Sequence, residues 1–345
     1  MSLPIKPPFP PMDALSVDKI PQGEGWQYEP KWDGFRCLVF RDGDKVELQS
    51  KAGQPLARYF PEMVEAVKEL PAKQFVLDGE LVIPEEQALS FDELLLRLHP
   101  AESRVRKLSA AHPALLIVFD LLVDGPKSKL IDAPLSERRS ALEKFAKANF
   151  GKAKRIRLSP VTRDFKEAQG WFSTPGESLD GVIAKRVDFT YRSGERDGMV
   201  KVKPIRTVEC LVGGFRYGEK TEVVGSLLLG LYDEAGLLNH VGFTSSIKKE
   251  DRPALTKKLE QLKGEGFTGR APGGPSRWSN ERSAEWVRLK PELVVEVSYD
   301  HFTGGRFRHG TKFLRWRPDK APRQCSMEQV APKKQQKALE LLGLK

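Results

Sequence analysis

The chain has 345 residues, of which 39% are hydrophobic and 30% are charged. These proportions exclude a fibrous or largely disordered chain, and the length predicts two domains. The three cysteines, Cys37, Cys210 and Cys325, are too widely separated for a disulfide framework or a cysteine-type zinc site. The N-terminus is too rich in proline for a signal peptide, and no apolar run could span a membrane, so we expect a cytoplasmic protein.

Positive charge is concentrated in the C-terminal part of the chain. Residues 1–203 hold 32 Lys and Arg against 30 Asp and Glu, a net charge of +2. Residues 204–345 hold 25 against 17, a net charge of +8. This asymmetry indicates a polyanionic partner, most simply nucleic acid, although a solvated basic surface without a partner explains it equally well.

The first 204 residues predict an α+β domain. Residues 1–25 are rich in proline and predict an extended segment. Alternating apolar residues over 27–49, around the turn Asp42-Gly43, predict a β-hairpin. The other predicted elements are helices over 61–70, 91–98 and 135–148, and strands over 75–83, 115–123, 182–184 and 199–202.

Strand-like segments dominate after Pro204. They cover residues 209–215, 225–232, 237–243, 286–289 and 294–299, with one helix over 253–262. Short strands with one helix on a basic module predict a small antiparallel β-barrel of the OB-fold type. We place the two domains at 1–204 and 205–345, with a mobile glycine-rich loop over 264–280 and a short helix after Ala331.

Six short motifs carry residues suited to catalysis. In chain order they read EPKWDGFR (29–36), DGE (78–80), FD (119–120), DGVIAK (180–185), KVK (201–203) and RWRPDK (315–320). Each motif is weak by itself, because a lysine beside a turn or an acid in a strand is usually a solvated surface residue. Six of them in this order are hard to explain as surface decoration.

The order of these motifs resembles motifs I, III, IIIa, IV, V and VI of the ATP-dependent DNA ligases in the covalent nucleotidyltransferase superfamily. Ser50-Lys51 is the candidate for motif Ia. The resemblance covers nearly the whole chain. Within the family, the chain is most similar to bacterial ligase C and to the ligase module of ligase D. It implies an ATP-grasp-like nucleotidyltransferase domain with antiparallel sheets, followed by an OB-fold β-barrel. Lys51 and Asp180 depart from the Arg and Glu that are usual at these positions.

The resemblance also implies roles for individual residues. Lys31 would be the nucleophile that takes AMP from ATP, with its pKa lowered by Lys185, Lys203 and a metal ion. Asp180 and Glu80 would bind Mg²⁺ or Mn²⁺. The positions that match the family's ATP or AMP contacts are Glu29, Lys31, Arg36, Lys51, Glu80, Phe119, Lys185, Lys201 and Lys203.

Within the nucleotide site, Glu29 would read the adenine edge and Phe119 would stack on the base. Arg36 and Glu80 would hold the ribose hydroxyls and a nearby phosphate. In motif VI, the residues that would orient the leaving pyrophosphate are Arg317, Asp319 and Lys320.

Residues 305–323 contain seven basic residues and one acid, interleaved with aromatic residues. An edge strand protected by charge would show a similar pattern. We favour contact with the DNA backbone. The residues expected to make it are Arg306, Arg308, Lys312 and Arg315.

The favoured interpretation is an ATP-dependent DNA ligase that seals nicked duplex DNA during repair. The resemblance implies a monomer associated with the bacterial nucleoid. An RNA ligase, a capping-type guanylyltransferase and a non-catalytic OB-fold DNA-binding protein remain alternatives. Labelling with ATP against GTP, and sealing of a nicked duplex, would separate them.

Overall fold

The computed structural model describes residues 2–86, 88–173, 179–204, 206–273, 285–331 and 336–344. The chain divides into two compact units. The first unit comprises Met1–Pro204 together with Lys333–Lys345, and the second comprises Ile205–Pro332. No helix among the described residues is both long and apolar enough to cross a bilayer.

The strands found among the described residues of the first unit form two sheets. The strands are β1 (Leu15–Ser16), β2 (Trp26–Pro30), β3 (Phe35–Asp42), β4 (Lys45–Ser50), β5 (Gln74–Val82), β6 (Leu115–Asp124), β7 (Ile156–Leu158), β8 (Val182–Arg186) and β9 (Met199–Val202). One sheet has the order β4-β3-β5-β6-β7 and the other β1-β9-β8-β2. Inner pairings are antiparallel, as predicted, whereas β6–β7 and β1–β9 are parallel, so both sheets are mixed.

The described part of residues 1–204 also contains five helices. They are α1 (Pro61–Lys68), α2 (Phe91–Arg97), α3 (Glu102–Ala111), α4 (Leu135–Asn149) and α5 (Phe165–Ser173). The sequence predicts α1, α2 and α4 but not α3 or α5. Helix α3 buries only Val105 and Ser109. It therefore lacks the apolar stripe by which a helix is recognised in a sequence.

Two glycines allow close backbone contacts beside the predicted nucleophile. A Cβ atom on Gly34 would lie 2.1 Å from the carbonyl oxygen of Leu81 in β5. A Cβ atom on Gly181 would lie 2.0 Å from the carbonyl oxygen of Val202 in β9, and Gly181 has a φ of +138°. Neither approach is open to a residue with a side chain. The glycines of two predicted motifs thus allow these motifs to pack closely against neighbouring strands.

The second unit is built on one principal sheet. Its elements are β10 (Arg206–Tyr217), β11 (Val224–Tyr232), β12 (Leu238–Thr244), α6 (Arg252–Glu260), β13 (Val287–Arg288), β14 (Val294–Tyr299), β15 (Phe302–Thr303), β16 (Arg306–Phe307) and β17 (Lys312–Trp316). The strand order is β12-β11-β10-β14-β17, with β13 also paired to β10. In the described residues the edge strands β12 and β17 share no continuous ladder, but they meet at the bridge of Thr244 with Thr311, where the Thr311 amide donates to the Phe243 carbonyl at 3.3 Å. The second unit is therefore OB-like, as predicted, with a barrel that is incompletely closed.

Part of the predicted mobile loop is anchored. The amides of Gly264 and Gly266 donate hydrogen bonds to the carbonyls of Arg288 and Leu289, at 3.2 and 3.0 Å. Phe267 is buried in the core of the second unit. Residues 264–273 are thus packed, because one aromatic side chain ties them to the sheet, and residues 274–280 lie outside the described part of the chain.

The C-terminal tail belongs to the first unit, although the sequence places it in the second domain. Its helix, α7, spans Gln336–Leu341. Ala338, Leu339 and Leu342 are buried in the same apolar cluster as Tyr28 and Trp32. The apolar residues of the tail therefore complete the core that packs against β2. In the sequence, the second unit lies between the two segments of the first.

Candidate active site

Three residues of different predicted motifs meet at the end of β2. The Lys31 amide donates a hydrogen bond to the Gly181 carbonyl at 2.9 Å, which joins the two motif backbones. The Lys31 side chain donates a hydrogen bond to Asp180. Lys203 Nζ lies 3.9 Å from the same carboxylate. The fold thus brings the predicted nucleophile, metal ligand and phosphate-binding lysine together, although 149 residues separate Lys31 from Asp180.

The environment of Lys31 differs from the one expected. Burial by itself lowers the pKa of the Lys31 amine, but Asp180, Asp33 and Glu80 outweigh burial and raise this pKa above its usual value. The sequence predicts a pKa lowered by neighbouring cations. That expectation is wrong for the protein without nucleotide or metal, because carboxylates lie closest to the amine.

Carboxylates suited to a divalent cation surround Lys31. Oxygens of Asp33 and Asp180 lie within 4.8 Å of one another. Glu80, the other predicted ligand, lies beside them on β5, and burial raises its pKa to about 7 while Arg36 and Lys31 oppose this rise. Oxygen donors are what Mg²⁺ and Mn²⁺ prefer, so the residues present fit such an ion. Asp33 was not singled out from the sequence, although it lies within the first motif.

Arg36 is fixed by a carboxylate that the sequence does not single out as a site residue. Its Nε and Nη2 atoms donate to the two oxygens of Asp78 at 2.5 and 2.6 Å. Asp78 is completely buried. The Arg36 guanidinium also lies 4.6 Å from the centroid of the Phe119 ring. The fork geometry of this pair fixes the orientation of Arg36.

Glu29 and Lys185 form a buried ion pair on the neighbouring sheet. Lys185 Nζ lies 2.8 Å from Glu29 Oε2, and the amide of Gln27 donates to Glu29 Oε1 at 3.0 Å. Lys185 Nζ is also 4.7 Å from the centroid of the Phe119 ring. Phe119 therefore has two cations over its ring. A base that stacks on Phe119 would compete with a cation that lies over the same face of the ring.

The remaining predicted lysines form a cationic group near Lys31. Lys51 pairs with Asp13 at 2.7 Å. Burial lowers the pKa of Lys201, Asp13 opposes this, and the charges of Lys51, Lys31 and Lys203 lower it further. Clustered ammonium groups of this kind are suited to neutralising a polyphosphate.

In the second unit, the predicted motif VI residues lie in an ion-pair network. Arg317 donates to Asp319 at 2.9 and 2.8 Å and to Glu209 at 2.6 Å. Lys320 Nζ lies 3.6 Å from Glu209. Hydrogen bonds from Arg317 lower the pKa of Asp319 to about 2. Glu209 was not singled out from the sequence, because its position in β10 carries no motif.

The predicted DNA-contact residues are distributed over two strands and a turn. Lys312 and Arg315 are exposed on β17, and Arg315 pairs with Glu296 at 2.6 Å. Arg306 on β16 and Arg308 are partly buried. Of the interleaved aromatic residues, Phe307 is buried in the core, so it cannot act as a stacking platform.

The lysine that follows β2 lies among carboxylates and clustered cations between two sheets. This arrangement is typical of a nucleotidyltransferase. Family models support this class. The ATP dependent DNA ligase domain matches residues 11–203, and the ATP dependent DNA ligase C terminal region matches residues 220–320. The chain therefore belongs to the ATP-dependent DNA ligase family.

Individual proteins that resemble this chain show which kind of DNA ligase it is similar to. DNA ligase C2 of Mycolicibacterium smegmatis is 45% identical over 348 residues, with 96% of each chain covered. DNA ligase C of Mycobacterium tuberculosis is 44% identical over 347 residues, also with 96% of each chain covered. A solved structure of Lig E DNA ligases shares the fold, with a TM-score of 0.53 at 17% identity, covering 89% of this chain and 100% of that chain. The predicted ligase assignment is confirmed, and the three alternatives are not favoured.

Proposed function

We propose that this chain seals nicks between a 5′-phosphate and a 3′-hydroxyl in duplex DNA, with Lys31 as the nucleophile. The observation that carries the proposal is the position of the Lys31 amine against Asp180, with Lys203 beside them. A neutral lysine amine can form a phosphoramidate, which divides a difficult displacement into easier steps.

The proposed reaction has three displacements. The neutral Lys31 amine attacks the α-phosphorus of ATP, the new N–P bond replaces the P–O bond to pyrophosphate, and the amine loses a proton. The 5′-phosphate of the nick then attacks the lysyl-AMP phosphorus and releases Lys31. Finally the 3′-hydroxyl attacks the 5′-phosphate, forms the phosphodiester bond and expels AMP.

Asp180, with Asp33 and Glu80 beside it, would hold Mg²⁺ or Mn²⁺. A bound divalent cation supplies positive charge that stabilises the transition state and favours the neutral form of a nearby amine. Because Asp180 also pairs with the Lys31 ammonium, it links metal affinity to the protonation state of the nucleophile. Lys51, Lys201 and Lys203 neutralise the phosphates as ATP binds.

The base and ribose bind on the side of the site formed by Arg36, Phe119 and Lys185, which line one cavity. Glu29 contacts the adenine edge, Phe119 stacks on the base, and Arg36 and Glu80 hold the ribose hydroxyls. Lys185 is paired with Glu29, so it exchanges this partner when it contacts a phosphate.

We assign DNA contact and pyrophosphate orientation to the second unit. Arg317, Asp319 and Lys320 orient the leaving pyrophosphate, and Arg306, Arg308, Lys312 and Arg315 contact the DNA backbone. The net charge of +8 after residue 203 supports this division, because phosphate neutralisation provides much of the affinity for DNA. We further propose a monomer that acts in DNA repair at the nucleoid, in the bacterial cytoplasm.

Intact mass of the purified chain tests this proposal directly. After incubation with ATP and Mg²⁺, the wild type should gain the mass of AMP, and pyrophosphate with Mg²⁺ should remove it. Lys31→Ala should carry no AMP and should seal no ordinary nick. It should slowly seal a nick that is already adenylylated, because the last step does not use the amine.

The exposed Lys19→Ala is the matched control and should load AMP like the wild type. Equal AMP loading by Lys31→Ala would refute Lys31 as the nucleophile.

A further inference from the structure

A closed ring of hydrogen bonds fixes the Arg36 guanidinium. Arg36 binds both oxygens of Asp78, and the Tyr191 hydroxyl donates to Asp78 Oδ2 at 2.6 Å. The Met12 amide donates to the same hydroxyl at 3.0 Å. Arg36 Nη2 lies 3.3 Å from the Met12 carbonyl oxygen, which closes the ring. Three residues from distant parts of the chain, Met12, Asp78 and Tyr191, thus fix one guanidinium.

Tyr191 is held rigidly at the centre of this ring. It is 5% exposed. Its amide donates to the Ile131 carbonyl at 2.8 Å, and its aromatic ring lies 5.6 Å from the Arg138 guanidinium carbon. Arg138 is itself fixed by two hydrogen bonds to Asp120, both 2.9 Å long. These contacts fix the orientation of the Tyr191 side chain, so that its hydroxyl faces Asp78.

The ring reaches two of the residues expected to contact the nucleoside, Arg36 and Phe119. Arg36 lies over the Phe119 ring, and Asp120, which anchors Arg138, directly follows Phe119 in β6. Tyr191 also lines the cavity formed by Arg36, Phe119 and Lys185. Its hydroxyl, however, is engaged by Asp78 and by the Met12 amide, so its hydrogen bonds act on the nucleotide through Asp78 and Arg36.

We propose that Tyr191 is a positioning residue that sets the orientation of Arg36 towards the ribose of ATP. This inference rests on the proposed function, in which Arg36 holds the ribose hydroxyls. Without the Tyr191 hydroxyl, Asp78 Oδ2 loses a donor and the buried Met12 amide loses its acceptor. Arg36 is then free to follow Asp78 into other orientations, and its hydrogen bonds to the ribose weaken.

Discrimination between ATP and its deoxyribose analogues tests this role. The measured quantity is kcat/KM for self-adenylylation with ATP, 2′-deoxy-ATP and 3′-deoxy-ATP. In the wild type, loss of the hydroxyl that Arg36 contacts should lower kcat/KM by about tenfold or more. In Tyr191→Phe this penalty should fall below about threefold, because the lost contact was already weakened.

Tyr28→Phe is the matched control. Tyr28 is as deeply buried, and its hydroxyl donates to the Pro21 carbonyl at 2.9 Å, so the variant also loses one hydrogen bond. It should keep the full ribose penalty. Asp78→Asn breaks the same ring at its next member, and its effect on the penalty should not add to that of Tyr191→Phe.

The outcomes separate the two proposals. An unchanged ribose penalty in Tyr191→Phe, or an equal loss in Tyr28→Phe, would overturn the positioning role while Lys31→Ala still fails to load AMP. If Tyr191→Phe does not fold, an unchanged penalty in Asp78→Asn overturns it instead. AMP loading by Lys31→Ala would overturn the proposed function itself.

Discussion

Lys185 Nζ lies 2.8 Å from Glu29 Oε2, and both side chains are buried within adjacent antiparallel strands. Two motifs separated by 156 residues are thus joined by a single charge pair. A buried pair of this kind tolerates the loss of both charges better than the loss of one, because a remaining charge has no compensation.

This pairing predicts non-additive stability changes. Glu29→Gln and Lys185→Met should each lower the free energy of unfolding by about 3 kcal/mol, and the double variant by clearly less than the sum. Denaturant unfolding measures this. Asp188→Asn, which breaks the more exposed pair of Arg186 and Asp188, should change stability far less, because solvent screens this pair. Additive losses would show that the two charges are independent.

The position of Asp180 beside Lys31 predicts that its substitution affects the chemical step more than nucleotide binding. Asp180→Asn should reduce the rate of adenylylation by about 100-fold or more with a much smaller change in ATP affinity, because a metal ligand acts on the transition state. Removal of this carboxylate should also lower the pKa of Lys31, which Asp180 raises. The pH dependence of adenylylation and a metal titration measure both effects. The exposed Asp197→Asn should behave as the wild type, and a normal rate and metal dependence in Asp180→Asn would exclude the metal role.

Glu80 predicts a pH-dependent stability in the metal-free, nucleotide-free protein. Burial raises its pKa from 4.5 in the unfolded chain to about 7 in the folded protein. Between these values the folded state holds a proton that the unfolded state has lost, so stability falls as pH rises and the loss is complete above pH 7. We expect a decrease of about 3 kcal/mol between pH 4.5 and 7.5, absent in Glu80→Gln. Chemical denaturation across this range measures it, and equal pH profiles would contradict the raised pKa.

We expect different residues of the second unit to serve the ATP step and DNA binding, so that substitutions can impair each one separately. Asp319→Ala with Lys320→Ala should impair self-adenylylation yet leave nick binding by pre-adenylylated protein nearly unchanged. Arg306→Ala with Lys312→Ala should instead weaken nick binding and lower its salt dependence, by a slope of about 1 for each lost phosphate contact. Adenylylation assays and binding titrations at several salt concentrations measure the two effects. If both double variants fail only in the ATP step, residues 305–323 do not form a DNA surface.

The sequence by itself determined the family, the order of the motifs and most of the regular elements. Strands such as β3 and β6 are recognisable because buried residues repeat along them, and Lys31 and Asp180 stand out because glycines accompany them in short motifs. Helix α3 is missed because its surface is mostly polar. The place of the tail is missed because its few apolar residues are compatible with either unit.

Only the tertiary structure decided which charges face one another. Lys31 was expected among cations, yet Asp180 and Asp33 lie closest and raise its pKa. Asp78 and Tyr191 become site residues through contacts that span more than a hundred positions. Such pairings depend on strand register and on side-chain packing across sheets. A one-dimensional pattern records which charges exist, but the electrostatic energy of each depends on distances that only the folded chain sets.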